Sequence, residues 1–488
     1  MAELEAVIGL EIHVQLSTRT KMFCGCALSF GDEPNVHTCP VCLAHPGVLP
    51  VPNEEAIRYA LRIAAALECE VAPRSIFHRK NYFYPDSPKA YQISQYDIPL
   101  ASRGRLGEVR IHRAHLEEDA AKMVHVGESG RIHGSGTSLV DFNRGGTPLV
   151  EIVTEPDLRS AERAASWARL LRETVRQLEV SDVNMEEGSL RVDANVSVRP
   201  AGSEELGTKT ELKNMNSFRF LERGIEAELA RQREVVEAGG QVVQETLHFD
   251  PRSGDLTPLR SKEEAHDYRY FPEPDLVPLA PTREMLREAR ESLPELPAAR
   301  AERYRDELKL EPEQARHLAS DPDLAGYFEE TCADAGADPD PQPNGVEPRV
   351  VANWITGDLI AELRRHDLEE DFASPTVPAQ SLAPLVQMAA AQEISIAIGR
   401  QVLAMLVEER GGDPRAIVER EGLAQISADS GELEAIVGAA IEANPEAAEQ
   451  VRAGNGKAIG AIVGAVMNET GGRADGGEVN RLIREQLG

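Results

Sequence analysis

From Ile8 to Leu16 apolar and polar positions alternate without a break. Ile8, Leu10, Ile12, Val14 and Leu16 fall on one side, and Glu11, His13 and Gln15 on the other. A period of two predicts a half-buried strand. A second stretch, Ser189 to Arg199, sets Leu190, Val192, Val196 and Val198 against Arg191, Asp193, Asn195, Ser197 and Arg199. Elsewhere the period lengthens to that of a helix. Ser160–Leu178 opens on a Ser cap, and Arg219–Ala238 stops at Gly239-Gly240. Strands separated by helices without regular βαβ spacing predict an α+β fold for residues 1–293. After Pro294-Glu295-Leu296-Pro297 the runs are almost all amphipathic helices, and Gly411-Gly412-Asp413-Pro414 separates a last group of short ones. The expected organisation is therefore a mixed α+β domain (1–293), an all-α domain (294–410) and a small all-α tail (411–488). A chain of 488 residues has room for two to four domains.

The polar side of the first strand is unlike an ordinary solvent face, which more often carries Lys, Arg, Ser or Thr. A carboxylate, an imidazole and an amide stand roughly 6–7 Å apart along it, given the rise per residue of a strand. That row could hold a hard metal ion, or it could be a polar sheet edge. Acids recur in similar contexts: His115-Leu116-Glu117-Glu118-Asp119, Met185-Glu186-Glu187-Gly188 ahead of Asp193, and Glu211 between Lys209 and Lys213. Acids flanked by bases suit a place where Mg²⁺ meets phosphate oxygens; solvated charges and local ion pairs are the plainer account. Neither a GxxxxGK[ST] loop nor a GxGxxG turn after a strand is present, and Gly454-Asn455-Gly456-Lys457-Ala458 lacks both the leading glycine and the hydroxyl. A bound nucleotide would rely on metal and basic side chains. The GxSxG elbow of serine hydrolases is also missing.

Four of the six cysteines, Cys24, Cys26, Cys39 and Cys42, form a C-x-C-x12-C-x2-C pattern over about residues 22–45. Two close pairs joined by a short loop suit a tetrahedral four-thiolate zinc site, structural because no coordination position stays open. His37 and His45 are nearby substitutes, while Cys69 and Cys332 read as core thiols. Residues 79–96 are dense in aromatic, basic and polar side chains, in a chain only 5% aromatic. They could stack an RNA base or make an aromatic minicore.

The net charge of −30, with nine lysines among 52 basic residues and acids spread along the chain, points to a halophilic, high-salt cytosol ahead of the alternative, an acidic face for a basic partner. No apolar run approaches the ~20 residues that span a bilayer, and the N-terminus has no basic and apolar leader pattern. A cytoplasmic protein with no membrane partner is expected.

Taken together, the runs VIGLEIHVQL, KNYFYPDSPKAYQISQYD, LEEDAAK, SLVDFNRGGTPLVEIVTEPD, EEGSLRVDANVSVRP, KTELKNMNSFR, DYRYFPEPDLVPL and GNGKAIGAIVGAVM closely resemble the B subunits of the aspartyl/glutamyl-tRNA(Asn/Gln) amidotransferases. The resemblance covers essentially the whole chain. It implies a cradle-type catalytic domain related in architecture to glutamine synthetase-type kinases, with helical regions that hold tRNA. It also implies an ATP-dependent reaction: the side-chain carboxylate of Glu-tRNA(Gln) or Asp-tRNA(Asn) is phosphorylated, and ammonia displaces the phosphate. Metal (Mg²⁺) and ATP roles carry over to Glu11, His13, Glu118, Asp193 and Glu211, with Glu117 the alternative to Glu118. Lys80, Lys89 and Lys213 carry over as phosphate or substrate contacts. No amidase nucleophile set is present, so the resemblance implies an amidase (glutaminase) A subunit that supplies ammonia from glutamine and a small C subunit, in a heterotrimer. A zinc-containing RNA-binding scaffold without catalysis is the competing reading.

Overall fold

The structure is a computed structural model that describes residues 3–126, 136–250, 252–261, 268–343, 345–366, 368, 371–424, 426, 431–453, 456–471 and 473–487. Asp267 and the Gly454-Asn455 pair, which belong to two of the family-like runs, lie outside the described residues. Two compact units divide the chain at Leu296/Pro297.

The first unit is built on a nine-stranded sheet. In chain order the strands of this unit are β1 (Leu4–Gln15), β2 (Glu70–Val71), β3 (His78–Asn81), β4 (Tyr91–Ser94), β5 (Ala101–Leu106), β6 (Val109–Glu118), β7 (Lys122–Val126), β8 (Thr137–Asp141), β9 (Pro148–Thr154), β10 (Leu190–Pro200), β11 (Thr210–Met215), β12 (Glu245–Phe249), β13 (Leu256–Ser261) and β14 (Phe271–Pro272). The large sheet runs β13-β12-β11-β10-β1-β9-β6-β5-β2; β14-β3-β4 and β7-β8 form two small ones. Within the large sheet β11 and β12 pair in parallel and the other ladders are antiparallel.

The alternation seen in the sequence becomes two faces. Ile8, Leu10, Ile12 and Val14 are buried, as are Val192, Ala194 and Val196 on β10 and Leu116, Val150 and Ile152 on β6 and β9. They join one core with α1 (Glu54–Ala66), α2 (Ala161–Gln177) and α3 (Phe218–Glu237). Each fully buried aliphatic side chain contributes roughly 1.5–3 kcal/mol of transfer free energy. Side chains cap all three helices: Asn53 accepts from Ala56 N–H (3.3 Å), Ser160 from Arg163 N–H (3.2 Å) and Ser217 from Phe220 N–H (3.2 Å). The opposite face, with Glu11 and His13, is left polar.

One turn ties several site elements together. Gly146, at φ +89°, leads into β9. Its N–H donates to Asp119 O (2.8 Å), and its carbonyl accepts from Met22 N–H (2.7 Å).

The second unit is helical. Among the described residues eight α-helices, Pro297–Asp306 to Pro414–Arg420, share one core that includes Tyr304, Phe328, Trp354, Leu382 and Leu403, with a π-helical turn at Trp354–Leu359. Ile417 and Val418 of Pro414–Arg420 belong to this core. Among the described residues the tail has a separate core that includes Ile426. Leu433, Val437, Ile462, Val466, Val479 and Ile483 form that second core. No described helix is long and apolar enough to cross a membrane.

Candidate functional site

The ladders of β1, β9 and β6 set the polar face. His13 is the direct partner of Glu151 on β9, and Glu151 that of His115 on β6. A row His13–Glu151–His115 therefore crosses three strands. Glu11 lies two residues before His13, and Glu117 two residues after His115, on the same pleat. His13 Nε2 is 3.5 Å from Glu151 Oε2, 3.5 Å from Glu117 Oε1 and 3.9 Å from Glu11 Oε1. His115 Nε2 is 3.7 Å from both Glu117 Oε2 and Glu151 Oε2. Ser94 Oγ donates to Glu117 Oε2 (3.0 Å), fixing it from β4.

Two overlapping sets, Glu11/His13/Glu151 and His115/Glu117/Glu151, bring their ligand atoms within 4.8 Å of one another. Adjacent ligands of an octahedral Mg²⁺ stand about 2.9 Å apart, from its oxygen distance of 2.0–2.1 Å. Either set could hold an ion once its ligand atoms are drawn in to that spacing. Among the described residues the buried His115 Nδ1 has no hydrogen-bond partner.

Electrostatics describe a site that wants positive charge. Burial opposes a charged His13, but its hydrogen bond with Glu151 and the charge of Glu117 win and push it up to about 8. Burial also opposes a charged Glu151, yet the imidazoles of His115 and His13 and the Arg113 guanidinium hold it below the usual carboxylate range. Glu117 is likewise held low against burial, by His115 and His13. Glu11 goes the other way, raised by burial and by the charge of Glu151. A protonated imidazole among carboxylates occupies the place in the charge balance that a divalent ion would take.

Further along the face, Glu11 pairs with Asp193 across β1–β10. Lys213 Nζ sits between two acids, 3.0 Å from Asp193 Oδ2 and 3.2 Å from Glu211 Oε1. Thr246 Oγ1 donates to Glu211 Oε2 at 2.9 Å. Lys80 reaches the acid row from the small β14-β3-β4 sheet, with Nζ 5.0 Å from the Tyr268 ring centre. Burial works against its charge, but Glu117 and Glu151 hold its pKa above the ordinary lysine range.

Glu118 is not part of this row. Leu116 points into the core, so Glu117 shares the face of His115 and Glu118 turns to the other pleat. There it accepts from Ile93 N–H (2.9 Å) and pairs with Lys89. Glu117, the alternative to Glu118, is the one that shares the face of His13 and His115. Among the described residues, the sets able to surround an ion contain neither Glu118, Asp193 nor Glu211. Lys89 and Glu118 instead line a cavity of about 260 Å³ with Lys21, Arg79, Cys24 and Cys42.

The four cysteines converge. Their sulfurs lie within 4.8 Å of one another, with Cys42 Sγ 3.9 Å from Cys39 Sγ. Tetrahedral zinc–thiolate bonds place sulfurs roughly 3.8 Å apart. Cys39 N–H points at Cys42 Sγ (3.2 Å), and the Cys39 carbonyl takes Leu43 N–H (3.0 Å), which wraps Cys39-Pro40-Val41-Cys42 around the sulfurs. Cys24 is pushed up and Cys42 down because one thiol hydrogen-bonds the other, so the sulfurs share protons that a cation would displace. His37 is engaged with Asp32 at 2.6 Å, and neither it nor His45 joins the cluster. Cys69 is buried in the first core, and Cys332 packs against the helical one.

Sequence patterning missed Glu151 and gave His115 no role. Their signal was present: each is a polar residue on a strand whose neighbours Val150, Ile152, Ala114 and Leu116 are apolar. Which strands are adjacent cannot be read from such a pattern.

Comparisons with known proteins agree in kind. The family model described as the GatB/GatE catalytic domain matches residues 6–287, and one described as the GatB domain matches residues 341–487. The chain is similar to proteins named as the B subunit of aspartyl/glutamyl-tRNA(Asn/Gln) amidotransferase. The Moorella thermoacetica protein is 50% identical over 99% of this chain and 100% of its own length. The Brevibacillus brevis protein is 48% identical over 100% and 99%, and the Persephonella marina protein 47% over 99% and 100%.

Proposed function

The chain belongs to the family of aspartyl/glutamyl-tRNA(Asn/Gln) amidotransferase B subunits, and on that premise we propose that it activates and amidates the side-chain carboxylate of mischarged Glu-tRNA(Gln) or Asp-tRNA(Asn) at the polar face of the large sheet. The observation that carries this reading is the row Glu11, His13, Glu151, His115 and Glu117, with Lys80 and Lys213 at its margins.

A carboxylate is a poor electrophile, and converting it to an acyl phosphate creates a leaving group for ammonia. Phosphoryl transfer is mostly placement and charge neutralisation. Glu11, His13, Glu117 and Glu151 would hold magnesium, with Glu117 taking the place carried over to Glu118. When bound, the metal would neutralise phosphate charge. Asp193 and Glu211 hold Lys213, which would contact the phosphates of bound ATP. Lys80, charged at any physiological pH by the acids around it, adds a second cation over the face. Lys89 is paired with Glu118, which supports a lining role in the neighbouring cavity ahead of a phosphate contact. The four cysteines suit structural zinc, which would brace the loop whose Met22 N–H meets the Gly146 carbonyl.

The remaining expectations belong to the same reading: a cradle-type domain related to glutamine synthetase-type kinases, helical regions holding tRNA, an amidase A subunit and a small C subunit. A cytoplasmic setting at high salt fits the charge of −30.

The test is incubation of the purified chain, alone and with its partner subunits, with Glu-tRNA(Gln), Asp-tRNA(Asn), ATP and ammonia. Amidated aminoacyl-tRNA and stoichiometric ADP are expected, and Glu211→Ala should abolish both while tRNA binding persists. Full amidation by Glu211→Ala would refute its catalytic assignment, and a chain that binds tRNA but never yields ADP would favour the scaffold.

A further inference from the structure

Arg191 faces the candidate site from β10, where it is the direct ladder partner of His13. Its guanidinium is tied to a buried bracket outside the acid row. Nη2 meets Asp119 Oδ1 at 3.1 Å, and the other Asp119 oxygen accepts from Gln15 Nε2 at 2.8 Å and lies 3.6 Å from Arg144 Nε. The Asp119 backbone is pinned as well: its N–H donates to Thr147 O and its carbonyl accepts from Gly146 N–H, both at 2.8 Å. Against the cost of burial, Arg191, Arg144 and Gln15 keep Asp119 ionised. The Asp119 side chain is 4% exposed and that of Arg191 35%, so the bracket is closed while the cation can be reached. Neighbouring cations are engaged by site acids, Arg113 with Glu151 and Lys213 with Asp193 and Glu211. Arg191 is held by an acid that belongs to no ion-binding set among the described residues.

We propose that Arg191 is a catalytic residue that binds the transferring phosphoryl group, with Asp119 and Gln15 as its positioning residues. This rests on the kinase reading above. In that step the substrate carboxylate oxygen bonds to the γ-phosphorus while the bond from phosphorus to the β,γ-bridging oxygen breaks. The electron pair leaves on ADP and no proton moves. A planar guanidinium, oriented by one carboxylate, presents its remaining N–H groups to the phosphoryl oxygens, which a flexible lysine would do with less directional control. Gln15 thereby acquires work: as the third polar residue of the opening strand it aims the bracket.

The experiment measures ADP release with Glu-tRNA(Gln), and traps the acyl phosphate with hydroxylamine, in the assembled complex. Arg191→Gln should lower kcat for ADP release by about 10²–10³-fold, the scale of losing one charge-stabilising donor, with KM for Glu-tRNA(Gln) nearly unchanged. Arg191→Lys should recover part of the rate, and added guanidinium should partly rescue Arg191→Ala. Gln15→Ala should lower kcat by about tenfold, the effect of a small misplacement. If Arg191 only supports the fold, Arg191→Gln would lower the melting temperature and raise the KM for Glu-tRNA(Gln), and guanidinium would restore nothing; that overturns the proposal. Glu211→Ala is the control for the underlying reading. If it abolishes ADP release while Arg191→Gln stays within twofold of the parent, this inference alone fails; if neither variant loses activity, the site reading fails with it.

Discussion

His13 and Glu151 are direct partners across the β1–β9 ladder, and Nε2 of one stands 3.5 Å from Oε2 of the other. Glu151 belongs to both overlapping sets whose ligand atoms could hold an ion, so it is the hinge of the acid row. Glu151→Gln keeps the shape and removes the charge. It should lower amidation by about 10²-fold or more and shift the Mg²⁺ requirement upward. Glu117→Gln should behave similarly, whereas Glu118→Gln should leave the Mg²⁺ requirement where it was. Magnesium titrations of ADP release for the three variants separate them, and identical curves for Glu117→Gln and Glu118→Gln would remove the distinction drawn from strand parity.

The raised pKa of His13 carries a signed consequence. Going from 6.5 to about 8 on folding, its protonation stabilises the metal-free fold fully below about pH 6.5, and that contribution is lost as pH rises through about 8. The shift corresponds to about 2 kcal/mol. In EDTA, the drop in melting temperature from pH 6 to 8.5 should be larger for the parent than for His13→Gln. A divalent ion needs the neutral ring, so apparent Mg²⁺ affinity should rise over the same window.

Metal analysis should find one zinc per chain, lost when Cys39 and Cys42 are both changed to Ser. Each removed thiolate opens the closed tetrahedral set, so the double variant should release metal to a chelator and melt earlier. Freshly purified parent protein without zinc would end the assignment.

In the helical unit a Cβ added at Gly399 would stand 2.7 Å from Trp354 Cη2. Gly399→Ala should cost roughly 1–3 kcal/mol through overpacking. Denaturant unfolding would measure it, and a loss below about 0.5 kcal/mol, ordinary for a surface change, would mean the ring yields freely.

Much of this was legible along the chain because the signals are local. Period-two runs marked β1 and β10, a serine marked the start of α2, and the paired cysteines announced their own meeting. The Glu117/Glu118 ambiguity was not legible, since it depends on where strand β6 ends its alternation and which side β4 covers. Glu151 was hidden for a related reason: one acid in an apolar strand has no visible partner until β9 lies between β1 and β6.

Alternation alone determined that Glu11, His13 and Gln15 share a face opposite Ile12, because the side-chain period of a strand is set by its own backbone geometry. Only the tertiary structure decided what that face meets. Ladder order and register bring Glu151, His115 and Glu117 to His13, deliver Lys213 between Asp193 and Glu211, and give Gln15 its hold on Asp119. Those contacts join residues more than a hundred positions apart in several cases, and the burial of many side chains at once, which no local pattern encodes, selects them.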